Sequence, residues 1–232
     1  MNGEQLGERI SQIRGQIDAA ARKCGRLPHE ITLIAISKTH PASIVRQAIE
    51  LGATDIGENR VQEAEQKINE VGRTAARWHL VGHLQANKAR RAVQLFDVIH
   101  SLDSLELARR LDRLCDEEGR QKFPVLIQVD LGHEETKTGV DEKDLPALIE
   151  GLAGLQRMEL VGLMTLPPFF DDAEQARPFF RRLRELRDDL GSRGVFGDRK
   201  GELSMGMTND FAVAIEEGAT MVRIGTAIFG NR

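Results

Sequence analysis

The sequence predicts an α/β fold: one closed (β/α)8 TIM barrel with an additional N-terminal helix. Three observations carry this prediction. Short apolar runs alternate with longer amphipathic runs eight times along the 232 residues, and strict alternation of β and α elements implies a parallel sheet. The runs Ile31–Ser37 and Pro124–Asp130 are rich in β-branched residues and bounded by breakers, as short buried strands are. Connections are short and no Pro/Gly/Ser-rich linker divides the chain, so residues 1–232 read as a single domain. An open doubly wound sheet shares the alternation, but no G-x-G-x-x-G follows the first strand.

Residues 4–24 form the leading helix, with Leu6, Ile10, Ile13 and Ile17 at helical spacing. Strand 31–37 then leads to helix 42–51, which stops at Gly52. Strand 54–58 precedes the charged helix 60–71, and strand 78–82 precedes helix 87–95. Strand 97–101 precedes helix 104–118, which Asp103 is placed to cap with Glu106 as its capping-box partner. Strand 124–130 is followed by helix 142–151, and strand 159–164 by helix 174–190. Pro178 either kinks that last helix or marks its true start. Strand 202–205, helix 209–217 and strand 220–224 complete the series.

Composition narrows the class. Hydrophobic residues at 41% and charged residues at 29% are ordinary for a globular protein, and a net charge of −4 gives no basic field for nucleic acid. The runs Lys88–Arg91 and Arg181–Arg187 read as solvated helix faces. Cys24 and Cys115 form no metal or redox motif and are expected to pack as small apolar side chains. The amino terminus lacks an apolar signal core and no run is long enough to span a membrane, so the expected location is the cytoplasm.

In a barrel, function collects at the carboxyl ends of the strands. Lys38 stands at the first of these. It shares a face with Ile34 and Ile36, and burial of its stem is expected to disfavour the ammonium form. A neutral amine there attacks an aldehyde to give a Schiff base; the plainer reading is a lysine marking where the strand meets water. Ser204, Gly225 and Thr226 lie at the last two strand ends, where barrels often bind phosphate. Arg223 interrupts the apolar strand Met221–Ile224 and needs an acceptor. Two readings stand: a structural salt bridge with Glu202, or a donor aimed at a cofactor ring nitrogen. His83 shares a face with Val81 and is a candidate base, or a rim histidine satisfied by a carbonyl. Asp130 reads as a loop cap, and residues 132–139 as a lid or a solvated loop. His83 and His133 lack zinc-ligand spacing, so no metal site is expected.

Taken in order, Ile34-Ala-Ile-Ser-Lys38, Ile56-Gly-Glu-Asn59 and His79-Leu-Val-Gly-His-Leu-Gln-Ala-Asn-Lys88 form one series. Gly162-Leu-Met164, Leu203-Ser-Met-Gly-Met207 with Asp210, and Val222-Arg-Ile-Gly-Thr-Ala-Ile-Phe-Gly230 complete it. The series resembles the pyridoxal phosphate homeostasis protein family, relatives of the alanine racemase barrel. The resemblance implies a barrel holding pyridoxal 5′-phosphate (PLP), with Lys38 as the Schiff-base lysine and Ser204, Gly225 and Thr226 at the phosphate. It places Arg223 at the pyridine nitrogen, Asn59 beside the cofactor, and His83 and Met164 near the pocket. It also implies a role in B6 vitamer homeostasis.

An arginine at the ring nitrogen is a pure donor that leaves the nitrogen unprotonated and weakens the electron sink. In the resembled racemases a tyrosine from a second domain supplies the other base; this chain contains no tyrosine, and a partner domain is not expected. The expectation is a PLP carrier or regulator, exchanging with apo-PLP enzymes, monomeric, without catalytic turnover. A fold-type III racemase or lyase is the alternative, and a cofactor-free Schiff-base aldolase a more distant one.

Overall fold

The computed structural model describes residues 3–133 and 138–230. Its strands are β1 (Thr32–Ile36), β2 (Asp55–Glu58), β3 (Arg77–Leu80), β4 (Val98–Leu102), β5 (Phe123–Asp130), β6 (Val140–Asp141), β7 (Met158–Met164), β8 (Glu202–Ser204) and β9 (Met221–Ile224). All pairings are parallel, and β1 joins both β2 and β9 while β4 joins β5, so eight of the strands close a barrel. The two-residue β6 was not expected from sequence; it adds only to the carboxyl end of β5. The helices are α1 (Gly3–Lys23), α2 (Ala42–Glu50), α3 (Val61–Val71), α4 (Ala89–Leu95), α5 (Leu105–Glu117), α6 (Leu145–Ala153), α7 (Arg177–Ser192), α8 (Phe211–Glu216) and α9 (Thr226–Phe229). Among the described residues no helix is long and apolar enough to cross a membrane.

Side-chain alternation divides the apolar residues into two layers. Ala35, Ile56, Trp78, Leu80, Val222 and Ile224 face outward and pack under the helices. Ile34, Ile36, Val81, Val98, Leu126, Val161, Met164 and Met221 form a separate cluster inside the barrel. Gly57 makes room there: a Cβ on it would lie 2.4 Å from Ile36 Cδ1. The N-terminal helix buries Leu6, Ile10, Ile13 and Ile17, as its spacing predicts, against α8, α9 and α2.

The structure corrects some local expectations and selects between others. Ser104, not Asp103, caps α5 by accepting from Leu107 N at 3.3 Å; Asp103 turns instead toward His83. Pro178 marks the start of α7, which a 3-10 turn at Ala173–Ala176 leads into. Cys115 is buried, and desolvation pushes its thiol up to about 11, but Cys24 lies past the last turn of α1 and is exposed. Within the Arg181–Arg187 run, Arg187 is buried and donates to Gly201 O at 2.9 Å, so that face is not wholly solvated.

Candidate functional site

The carboxyl ends of the strands surround a cavity of about 340 Å³, within the size range of small-molecule sites. Lys38, Asn59, Arg223, Gly225 and Thr226 all line it. The loops after β7 and β8 complete the wall with Leu166, Pro168, Phe169, Phe170, Thr208 and Asn209. Asn209 Nδ2 donates to Phe170 O at 2.9 Å and so ties those two loops together.

Lys38 is carried by a turn rather than by the strand itself. β1 ends at Ile36, Ser37 is buried, and Lys38 is exposed at the rim. Burial of the stem, expected from the sequence, is therefore not present. What the structure supplies is backbone restraint. The next residue, Thr39, has φ +68, the left-handed region that a β-branched residue enters only under constraint. Its N–H donates to Glu63 Oε1. Lys67 Nζ donates to Ser37 O at 2.6 Å, Glu58 Oε1 at 2.6 Å and Glu63 Oε1 at 3.1 Å. Ser37 Oγ donates to Glu58 as well. The backbone on both sides of Lys38 is thus pinned to one buried cluster. Burial pushes the Glu58 carboxyl up, against the opposing pull of Lys67. Glu63 is held below its usual value, because the Thr39 N–H and Lys67 outweigh its own partial burial.

Asn59 reaches the cavity through a close backbone approach. A Cβ on Gly82 would lie 2.3 Å from Asn59 O, so only glycine allows the β3 loop to lie against the β2 loop. On the other side, Gly206 has φ +91 and its backbone oxygen accepts from Arg223 N at 3.0 Å. Asp210 Oδ1 accepts from Met207 N at 2.6 Å and shapes the turn that presents Thr208. The His40 ring stacks on Phe229 at 5.2 Å, joining the Lys38 turn to α9 beyond Gly225 and Thr226.

Arg223 sits buried at the cavity floor. It donates to Ser204 Oγ at 2.5 Å and to Thr165 O at 2.8 Å. Glu202 is not its partner, which corrects the salt-bridge reading: no carboxylate among the described residues comes within ion-pair distance of it. Desolvation lowers the guanidinium to about 10, so it remains a cation at neutral pH.

Ser204 is not brought to the cavity wall. Its register, opposite Met164 and Met221, places it inside the barrel beneath Arg223, where its hydroxyl meets Arg223 and His100. The hydroxyls on the cavity wall come from Thr208 and Thr226. Met164 is likewise an interior residue, below the cavity. His83 lies outside the cavity: β3 stops at Leu80, alternation no longer governs position 83, and the exposed ring pairs with Asp103 at 3.3 Å. Asp130 does cap the following loop, accepting from Gly132 N and His133 N. Asp130, His133 and Asp141 come together at that edge, a grouping the spacing of histidines did not reveal. Residues 134–137 of the anticipated lid lie outside the described residues.

Sequence reading missed Thr208, Thr165, Lys67 and the pair His79 and His100. For the histidines a signal existed: each stands next to apolar residues of the outer face, Trp78 and Leu80 around His79 and Ile99 before His100.

A family model described as "Alanine racemase, N-terminal domain" matches residues 10–232. The pyridoxal phosphate homeostasis protein of Escherichia coli is 42% identical over 234 residues, covering 98% of this chain and 97% of its own length. That of Aquifex aeolicus is 41% identical over 225 residues, covering 97% of each. The structure of PipY from Synechococcus elongatus with PLP bound superposes with a TM-score of 0.85 at 40% identity, covering 97% of this chain and 100% of that one.

Proposed function

The chain belongs to the alanine racemase N-terminal domain family, among its pyridoxal phosphate homeostasis proteins, and from that premise we propose that it holds PLP on Lys38 as a carrier in vitamin B6 homeostasis. The observation that carries this reading is the meeting of Lys38, Asn59, Arg223, Gly225 and Thr226 around one cavity. The residues present fit the cofactor. The Lys38 amine is open to an aldehyde and sits on a restrained turn. Arg223 is a buried cation with neutral oxygen partners and N–H groups to spare for a pyridine nitrogen. Gly225, where a Cβ would come within 3.3 Å of Ile36 O, lets the backbone approach closely, and the Thr208 and Thr226 hydroxyls suit a phosphate. PLP, when bound, supplies an electron-withdrawing ring. A ring nitrogen facing a pure donor withdraws less, and the chain contains no tyrosine to serve as a second acid or base. Both points favour holding over turnover. The same reading makes the cytoplasm its location, the barrel one cofactor-binding domain, the monomer its working form, and other B6 vitamers and apo-PLP enzymes its partners.

Absorption spectra of the purified protein before and after borohydride reduction, with peptide mapping, test the attachment. A pyridoxyl adduct on Lys38, absent from Lys38→Ala, is expected; an adduct elsewhere, or none, refutes it. Delivery is tested by reactivating an apo-PLP enzyme while free PLP is trapped. Chiral analysis of amino acids after long incubation tests turnover: racemisation lost in Lys38→Ala would replace the carrier reading with the racemase one.

A further inference from the structure

Inside the barrel a line of polar side chains runs from the cavity floor to the opposite end of the sheet. Arg223 NH1 lies 2.5 Å from Ser204 Oγ. Ser204 Oγ lies 2.9 Å from His100 Nδ1, and His100 Nε2 lies 2.9 Å from His79 Nδ1. His79 Nε2 lies 3.0 Å from Asp55 Oδ1. Asp55 opens β2 at the amino-terminal side of the barrel, where it borders a cleft that also involves Arg14, Asp18 and Thr32. Ser204, His79 and His100 are fully buried, and Arg223 nearly so.

The two ends decide how protons are arranged along this line. A guanidinium only donates and an ionised carboxylate only accepts. His79 must therefore give its Nε2 proton to Asp55. As a neutral ring its Nδ1 is then an acceptor, and the proton between the two histidines belongs to His100 Nε2. His100 Nδ1 becomes an acceptor in turn, and only the Ser204 hydroxyl can supply that proton. Ser204 Oγ is left with lone pairs for Arg223. Each of the three intermediate groups gives one proton and takes one hydrogen bond, and no link is left unfilled or doubly filled. Neutral rings are what burial favours: desolvation holds His100 well below its usual value and His79 below it too. Asp55, though burial works against its charge, is held ionised by His79 and Thr54.

We propose that Ser204, His100 and His79 form a one-way hydrogen-bonded chain through which the Asp55 carboxylate positions Arg223 beneath the cofactor ring. These are positioning residues: none of the three intermediates lines the cavity. The chain fixes Ser204 as an acceptor toward Arg223, and the Ser204 and Thr165 contacts occupy two of its five N–H groups while the cavity side remains for the ring. The charge that Arg223 feels through space is that of Asp210; Asp55 acts on it only through the hydrogen-bonded line. Only the last contact, from Arg223 to the ring nitrogen, rests on the PLP reading above; the chain itself belongs to the protein alone.

The test uses the full chain labelled with 15N-histidine, with ring tautomers read by two-bond 1H–15N correlation. His79 and His100 are expected to be neutral with the proton on Nε2, both with and without added PLP. A proton on His100 Nδ1 in the wild type reverses the direction and overturns the inference. Asp55→Ala is expected to mix the tautomers of His79 and His100, to shift the absorbance of bound PLP and to speed its release several-fold, with the Lys38 adduct still formed. Asp55→Asn, which keeps an acceptor oxygen, is expected to restore all three. Unchanged tautomers and unchanged release in Asp55→Ala overturn the inference, and where that variant does not fold, the wild-type tautomers decide it. A wild type that binds no PLP sinks the functional reading, while the tautomers still judge the chain.

Discussion

Replacing Lys67 with methionine removes the cation that joins Ser37 O, Glu58 and Glu63 and keeps most of the side-chain volume. Glu58, which is fully buried, is then left with a carboxylate that has lost its ion pair. Breaking a buried pair in this way costs roughly 3–5 kcal/mol. The carboxyl can escape part of that by taking up a proton. Burial already raises its pKa above the ordinary 4.5, and without Lys67 the rise is larger. At pH 7 a group that is ionised in the unfolded chain but protonated in the folded one costs about 1.4 kcal/mol per pH unit above 4.5, or about 3.4 kcal/mol. At pH 5 the same bookkeeping leaves about 0.7 kcal/mol. The sign is that of a raised folded-state pKa: the penalty is small in acid and grows as pH rises. Urea unfolding, followed through the fluorescence of the single, buried tryptophan Trp78, measures this at both pH values. Lys67→Met should lose several kcal/mol at neutral pH and much less at pH 5, and adding Glu58→Gln should recover most of it. A loss below about 1 kcal/mol at pH 7, or one equal at both pH values, would refute the reasoning.

The histidines inside the barrel predict acid lability of the wild type. His79 and His100 have folded-state values depressed below 6.5 by burial, so the unfolded chain binds protons that the folded chain refuses. Stability is full above about pH 7 and falls as pH drops below 6.5, with a limiting slope of about 2.7 kcal/mol per pH unit for the two rings together; unfolding free energies between pH 6.5 and 5 measure it, and a flat profile contradicts it. Gly82→Ala should be poorly tolerated, because its Cβ would meet the Asn59 backbone oxygen at 2.3 Å. A loss of about 1–3 kcal/mol is expected, together with weaker cofactor binding by titration, since relief of the clash displaces Asn59.

The barrel was legible because its signals are local and repeated. Each strand reports itself by an apolar run and each helix by its spacing, and eight repetitions leave little choice of architecture. Lys38, Asn59, Arg223, Gly225 and Thr226 were legible as strand ends, which the fold brings to one mouth. Ser204 was placed on the correct side of its strand but at the wrong depth, because alternation tells inside from outside and not how far below the rim a residue lies. His83 is misread for a different reason: the strand ends at Leu80, two residues before the expected end at 82, so alternation does not reach position 83. Lys67 gave no signal at all. On a charged helix it looks like any solvated lysine, and only the approach of α3 to the first strand loop reveals that it is buried. The histidine pair shows the limit of pattern reading, since each partner in the line to Asp55 comes from a different strand, and no local window contains two of them.

The seam between β1 and β9 has a consequence for biosynthesis. Residues 32–35 pair with residues 221–224, so the first strand waits for the last before either has two neighbours. Contacts of such sequence separation make folding slow. Lys38 leaves the ribosome far ahead of Arg223 and Thr226, and a nascent chain carrying the lysine alone has no pocket around it. A ribosome that stalls before the ninth strand leaves a product with two raw sheet edges.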